Sequence, residues 1–502
     1  MNITIKLDGV DISAKRGRLL SDVLSLHGAE TEMPCGRHGK CGKCRVIAHG
    51  MLSEPTANER MLLGEEAIGN GVRLACLTRA EGDCTVITQK RSESRVLIDG
   101  EMPELEIKPT FSGYGVAIDI GTTTLAARLF DEGGRRIADA VASNPQGVFG
   151  ADVISRMESA LKGNAEGISK VTVEACDSLI GMLSESAGIS SKEIGGGVIT
   201  GNTVMLHLLT RTDVEPLTHA PFEARRLFGE VLTASELGLC SLGAEVEIYL
   251  PSCIAAFIGA DTTSAMLGSS LAQHERSEIL CDIGTNGEMV FSDKGELFAC
   301  STAAGPAFEG AGIRMGMVGR VGAIDHVSIV DGRLCAHVIG EVKPTGICGS
   351  GVVDAVACLL ELGIIDETGY LEGGEAEISD GVVLTQEDIR KVQLAKSAIH
   401  AGIRSLLISA KTDISKVDTL LIAGGFGSYL DTDNAIRIGL LPSELRGRIR
   451  SVGNAALTGA SMLLLNGELR ETAKNTVLKV QVRELSGDQV FADEYIERMM
   501  FE

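Results

Sequence analysis

The chain has 502 residues, of which 44% are hydrophobic, 3% aromatic and 23% charged, with no tryptophan; that is enough apolar material for sizeable cores and, by length, for about two to four domains. Acidic residues outnumber basic ones 68 to 46, a formal charge of −22, and a surface that acidic repels phosphate backbones, which argues against nucleic acid as a partner. The apolar stretch from Cys253 to Ala272 carries Asp261 and several hydroxyls, and MNITIKLDGV lacks a basic n-region and an apolar h-region, so a cytoplasmic protein with no membrane role is expected.

Residues 1–90 read as a small β-rich module. Asn2–Leu7 alternates like a strand, and Asp8-Gly9 turns it into a second one. Leu19, Leu20, Val23 and Leu24 follow at helical spacing, then a cysteine loop and strand-like runs at Cys44–Ala48 and Val72–Cys76. Residues 91–112, with Pro103 and Pro109 and no helical period, read as a linker. From Gly113 the pattern becomes α/β, with helices expected at Lys170–Ala187, Leu394–Ile408 and Asn454–Leu465. One internal similarity stands out: Val116-Ala-Ile-Asp-Ile-Gly-Thr122 is echoed at Ile279-Leu-Cys-Asp-Ile-Gly-Thr285. Each copy is an apolar strand entering Asp-Ile-Gly-Thr and then a second strand, at a separation far beyond solenoid periods, which implies two large lobes with the same hairpin at the front.

Three of the thirteen cysteines cluster as C-x5-C-x2-C at Cys35, Cys41 and Cys44, with Cys76 the best fourth thiolate and Cys84 the alternative. Clustered cysteines in a reducing compartment point to metal or catalysis, not to a disulfide frame. Four thiolates suit a [2Fe–2S] centre, and Gly36, Gly39 and Gly42 let the backbone wrap it. A zinc site would more often show two C-x2-C knuckles or histidines. The module resembles the [2Fe–2S] ferredoxins with a five-residue first spacer, which implies a β-grasp fold; Arg37, Lys40, Lys43 and Arg45 form a basic collar around the loop.

The two Asp-Ile-Gly-Thr strands are joined by a third, Leu420-Leu-Ile-Ala-Gly-Gly-Phe-Gly427. At a nucleotide site, Gly121, Thr122, Thr123 and Thr124 in one turn and Gly284, Thr285 and Asn286 in the other would offer N–H and hydroxyl groups to phosphates. Asp119 and Asp282 would hold Mg2+, mostly through its waters, and orient an attacking water; Gly424, Gly425 and Gly427 would admit adenosine. These segments resemble the phosphate-1, phosphate-2 and adenosine motifs of the superfamily of acetate and sugar kinases, heat-shock chaperones and actin. That resemblance implies two ribonuclease-H-like lobes closing over ATP. The expected division is 1–90 ferredoxin, 91–112 linker, 113–275 first lobe, and 276–502 second lobe, whose late helix returns to the first.

A ferredoxin ahead of such an ATPase resembles the reductive activators of corrinoid proteins. Thr200–His207, Gly259-Ala-Asp261, Gly346–Gly351 and Glu484-Leu-Ser are similar to that family too. Some of its members carry an extra middle domain, whereas here Gly115 follows the linker almost directly. The resemblance implies ATP-dependent one-electron reduction of cob(II)amide to cob(I)amide. The cofactors would be a [2Fe–2S] cluster, ATP and Mg2+. The partners would be a corrinoid protein of a methyltransferase system and a low-potential electron donor; a homodimer is compatible with it. The competing reading is a small-molecule kinase with a redox-sensing ferredoxin. Of the remaining residues, His207 reads as a buried helix histidine, Cys281 as packing, and Lys396 as a solvated lysine ahead of a ribose contact. Gly349 and Gly351, at a helix start, offer a phosphate-facing turn.

Overall fold

The computed structural model describes residues 2–26, 39, 42, 44–88, 100, 102–271 and 276–501. By internal contacts the chain forms two compact units, Met1–Glu93 with Gln146–Arg156, and Ser94–Pro145 with Met157–Glu502.

The N-terminal unit is built on a mixed sheet. Strand β1 (Asn2–Leu7) buries Ile3, Ile5 and Leu7 on alternate positions and pairs antiparallel with β2 (Val10–Lys15). The two-residue loop between them has φ +48° at Asp8 and +92° at Gly9, both left-handed, as the right-handed twist of a tight hairpin demands. After β3 (Arg18–Leu19) and the helix Leu20–Leu26 come β4 (Arg45–Leu52), β5 (Val72–Leu74) and β6 (Arg79–Thr88), giving the order β2-β1-β6-β4-β5 with β3 paired to β6. β1 runs parallel to β6. Leu20, Val23 and Leu24 of the helix pack into the same core as Ile5, Val46, Leu74 and Val86.

The second unit holds two six-stranded sheets that share a five-strand order and differ in the edge that carries the sixth strand. In the first, β7 (Tyr114–Ile120), β8 (Thr124–Asp131) and β9 (Arg136–Ser143) form an antiparallel meander; β10 (Ile194–Gly201) adds parallel to β7, and β11 (Glu230–Thr233) and β12 (Glu247–Leu250) complete the order β11-β12-β10-β7-β8-β9. In the second, β13 (Glu278–Ile283), β14 (Gly287–Asp293) and β15 (Glu296–Thr302) repeat the meander. A three-stranded sheet of β16 (Ala323–Val330), β17 (Arg333–Val338) and β18 (Gly346–Ile347) and a hairpin of β19 (Glu375–Ser379) and β20 (Val382–Thr385) are inserted after it. Then β21 (Thr419–Ala423), β22 (Ile449–Gly453) and β23 (Val480–Val482) return to give β22-β21-β13-β14-β15-β23.

One helix joins the two sheets' cores. Every residue of Ala455–Leu465 is buried, and a helix apolar on all sides must be enclosed. Leu457, Ala460 and Leu463 pack with Ala117, Ala126 and Val198 of the first sheet, while Ala455 packs with Leu280 and Leu421 of the second. Its approach to the helix Ala260–Gly268 is so close that a Cβ on Gly459 would meet the Ser264 carbonyl oxygen at 1.7 Å, so no larger residue fits there.

The helices expected at Lys170–Ala187 and Leu394–Ile408 are present and longer, at Ala165–Ala187 and Gln386–Ser409. Residues 102–112, the later part of the span read as a linker, are tied down: Lys108 N–H donates to Leu465 O at 2.8 Å, Asn466 Nδ2 to Glu106 O at 3.0 Å, and Phe111 is buried. One reading is corrected. Lys396 is neither solvated nor available to a ribose. It is fully buried, donates to the carbonyls of Arg498 and Met500 at 2.6 and 2.5 Å, and lies 5.1 Å from the Phe501 ring, because the C-terminal segment folds over it.

Candidate cluster and nucleotide sites

In the N-terminal unit, β5 ends at Leu74 and the chain turns back on itself, with Leu77 and Thr78 N–H both donating to Leu74 O at 2.9 Å. That turn carries Cys76. Ala75 N–H donates to Cys44 O at 2.8 Å, and the Cys44 and Cys76 sulfurs, both buried, stand 3.2 Å apart, well beyond the roughly 2.05 Å of a disulfide. The two are not joined as a disulfide. Cys35 and Cys41, like Arg37, Lys40 and Lys43, lie outside the described residues. Cys84 lies in β6, paired to Gly50 on one side and Ile5 on the other, where burial raises its thiol pKa.

Gly39 and Gly42 have φ +66° and +67°, and a Cβ at Gly39 would meet the Leu77 side chain at 2.8 Å; the loop needs glycine at both positions. Arg45 departs from the expected open collar. Its Nε donates to Gly42 O at 3.0 Å and burial lowers its pKa, so it braces the loop. Beneath the Cys76 turn sits a group that sequence reasoning missed. The fully buried Glu59 carboxylate accepts from Arg73 Nε at 3.1 Å, Leu74 N at 3.1 Å, Thr78 Oγ1 at 2.9 Å and Thr56 N at 3.0 Å.

In the second unit, the repeated hairpins close alike but with loops that differ by one residue: Gly121 N–H donates to Thr124 O, and Gly284 N–H to Asn286 O, each at 3.0 Å. A Cβ at Gly121 would meet Thr124 O at 2.7 Å, so the first turn tolerates only glycine. Asn144 holds that turn from behind, its Nδ2 donating to Gly121 O and its N–H to Thr123 O, both at 2.8 Å. Asn202, which caps the helix Thr203–Thr210 by accepting from Met205 N at 2.9 Å, also donates to Thr122 Oγ1 at 3.3 Å.

The two turns are tied by one carboxylate. Glu309 accepts from Thr123 Oγ1 at 2.5 Å, Thr285 N at 2.9 Å and Thr285 Oγ1 at 3.0 Å. The adenosine-like glycines join the same place, for Gly424 has φ +88° and a Cβ there would stand 2.7 Å from Asp282 Oδ1. Gly427 is pressed on Ile422, whereas a Cβ at Gly425 would meet nothing within 4 Å. Gly349 and Gly351 serve packing: their Cβ positions would meet Phe308 O at 1.8 Å and Ile324 O at 2.3 Å.

Several buried carboxylates gather at this place, and burial disfavours their charge. Burial pushes Asp119 up to about 8, helped by Asp261 and Asp282, against the donated hydrogen bond from Asn454 Nδ2 at 3.2 Å. Burial raises Asp282 to about 7, reinforced by Asp261 and Glu309, and Asp261 itself to about 6. Glu288 is held well above the carboxylate range by burial and by Asp261 and Asp282. Converging buried carboxylates share protons until a cation arrives. Among the described residues no three His, Cys, Asp or Glu side chains surround one point.

Of these groups the sequence reading singled out Asp119 and Asp282 and quoted Asp261 within a longer segment. It gave no site role to Glu288, Glu309, Asn454, Asn202 or Asn144, although Asn202 lies in the quoted segment Thr200–His207 and Asn454 opens an expected helix. A signal for Glu288 existed: it is the cross-strand partner of Asp282, and two acids opposed in apolar strands are unfavourable unless something positive comes between them. His207 and Cys281 are both fully buried, as expected; His207 Nδ1 lies 2.8 Å from Thr203 O.

Residues 3–81 match the family model described as a 2Fe-2S iron-sulfur cluster binding domain, 114–274 the RACo middle region, and 276–502 the C-terminal ASKHA domain of RACo. The corrinoid activation enzyme RamQ of Eubacterium limosum is 34% identical over 420 residues, 77% of this chain and 70% of that protein. The chain belongs to the family of reductive activators of corrinoid proteins. It is also 27% identical over 382 residues, 70% of each protein, to the Methanosarcina barkeri reductase of a Co(II) methylated amine-specific corrinoid protein. The solved structure of a reductive activator for corrinoid, iron-sulfur protein superposes with a TM-score of 0.72 at 27% identity, covering 99% of this chain and 98% of that one. The family thus supplies a [2Fe–2S]-binding domain and an ATP-binding ASKHA domain. The span read from sequence as a first lobe, with no middle domain ahead of it, is the span that the family's middle-region model matches. No helix among the described residues is long and apolar enough to cross a membrane.

Proposed function

We propose that this activator uses ATP to drive one-electron reduction of cob(II)amide to cob(I)amide on a corrinoid protein of a methyltransferase system, drawing on a low-potential donor in the cytoplasm. The observation that carries the reading is the presence, in one chain of this family, of two buried cysteine sulfurs 3.2 Å apart in a [2Fe–2S]-type domain and a buried carboxylate cluster between two phosphate-type turns. When bound, the cluster supplies single electrons, matching the one-electron change at cobalt. Each tenfold displacement of such an equilibrium corresponds to about 59 mV, and ATP binding or hydrolysis supplies what a low-potential step lacks.

In this reading Cys35, Cys41, Cys44 and Cys76 hold the cluster, supported by the 3.2 Å approach of the last two. The turns Gly121–Thr124 and Gly284–Asn286 bind phosphates, and Gly424, Gly425 and Gly427 line the adenosine. Asp119 and Asp282 bind hydrated Mg2+ and orient the attacking water; their raised pKa values in the metal-free chain are what a cation would reverse. Residues 1–90 form the redox domain, and 113–275 and 276–502 the two lobes, with Ala455–Leu465 returning to the first. Glu309 accepts hydrogen bonds from both phosphate turns, so an incoming phosphate must compete with it for Thr123 and Thr285.

The test is spectroscopic. Corrinoid protein in the cob(II)amide state is mixed with this protein, ATP, Mg2+ and a low-potential reductant, and cob(I)amide is followed by absorbance. Omission of ATP and the Cys41→Ser variant should each abolish the conversion. Equal reduction in both controls rejects the reading and favours the kinase alternative.

A further inference from the structure

A pair of histidines, each with a carboxylate partner, lies on β16 and β17, outside the cluster loop and the carboxylate centre. Between the pairs Ile324↔Val338 and His326↔His337 the register accommodates one extra residue, Asp325, in β16. Such a bulge re-aims side chains. Its result is that His326 and His337 are direct cross-strand partners on one face, with side chains 51% and 61% exposed.

Each imidazole is backed by a carboxylate. His337 Nδ1 lies 2.5 Å from Asp325 Oδ1, and His326 Nδ1 pairs with Asp354 Oδ2. Asp354 is completely buried on the helix Gly349–Glu361 and is fixed by Asn434 Nδ2, donating to its Oδ1 at 2.7 Å, and by Val327 N–H at 3.3 Å. A carboxylate on Nδ1 holds the proton there, orients the ring and leaves the Nε2 lone pair free, as metal-ligating histidines usually require. Directly opposed residues have Cβ atoms about 4.5–5.5 Å apart, so two imidazoles can meet at one ion with metal–nitrogen bonds of about 2.0–2.1 Å. The exposed thiol Cys335 lies two residues from His337 on that face, opposite Ser328.

We propose that His326 and His337 form a site for a late first-row divalent cation such as Ni2+ or Zn2+, with Asp354 and Asp325 as supporting carboxylates. Two imidazoles suit those ions by ligand type. Water would complete the coordination around the two imidazoles.

The test uses the cluster-loaded full chain in excess Mg2+, so that the cluster cysteines and the carboxylate centre are occupied, titrated with Ni2+ by calorimetry. One equivalent should bind to the wild type. His337→Ala and His326→Ala should each lose it, and Asp325→Asn should weaken it about 10- to 100-fold, while ATP affinity stays at the wild-type value in all three. Cys335→Ser should retain the equivalent with altered affinity. Absence of binding in the wild type, or unchanged Ni2+ affinity in His337→Ala, overturns the proposal.

Discussion

Glu59 is the buried strut of the cysteine turn, and its removal should unseat the redox domain from below. Its carboxylate faces Arg73, whose side chain is 7% exposed, and also holds Leu74 N and Thr78 Oγ1 on either side of Cys76. Glu59→Ala leaves a buried guanidinium without a counter-charge, which costs about 3–5 kcal/mol, against a total of about 5–15 kcal/mol for a domain. At about 4–8 °C per kcal/mol for a unit of this size, the cluster-bearing unit should melt at least ~12 °C lower. The assay is thermal loss of the cluster's visible absorbance and circular dichroism in the full chain. Replacing both partners, as Glu59→Leu with Arg73→Leu, should recover much of the loss, because a pair of apolar residues leaves no uncompensated charge. Burial raises the Glu59 pKa, but Arg73 and the surrounding donors outweigh it and the group titrates below its ordinary value. Its contribution is therefore present above about pH 4.3 and disappears as pH falls through the lower folded value. A Glu59→Ala chain that melts with the wild type and keeps its cluster refutes the argument.

Three further outcomes follow from the two sites. Cys76→Ser should abolish or change the electron paramagnetic resonance of the reduced cluster, whereas Cys84→Ser, at a residue of β6 flanked by the strands of Gly50 and Ile5, should leave the signal intact; the opposite result reassigns the fourth ligand. Asp282→Asn should lower ATP hydrolysis by orders of magnitude yet raise the melting temperature at pH 8 without Mg2+. The sign follows from Asp119, Asp261 and Asp282 being held at about 8, 6 and 7: the folded unit binds protons that the unfolded chain has released, so stability falls as pH rises from about 4 to 8, and Mg2+ with nucleotide should flatten that slope. Gly425→Val meets nothing within 4 Å at its Cβ, so it should fold normally while weakening ATP binding measurably by calorimetry; unchanged affinity removes Gly425 from the adenosine site.

Much of the division of labour was legible in residue order. Alternation in Asn2–Leu7, the Asp8-Gly9 hairpin and the repeated Asp-Ile-Gly-Thr strands are local patterns, because strand pleat and tight turns are set by neighbours a few residues apart. The spacing of Cys41 and Cys44 belongs to the same class. What the sequence could not order were pairs made by folding alone. Glu309 reaches Thr123 and Thr285 across both turns, Asn454 reaches Asp119, and Asp261 sits among the acids; each depends on sheet packing that brings distant strands together. Lys396 shows the same limit in reverse, a lysine that looked solvated until the C-terminal carbonyls closed over it. Local steric preferences thus marked the turns and strands, while burial and long-range hydrogen bonding, which exist only in the assembled chain, chose the groups whose charge the site controls.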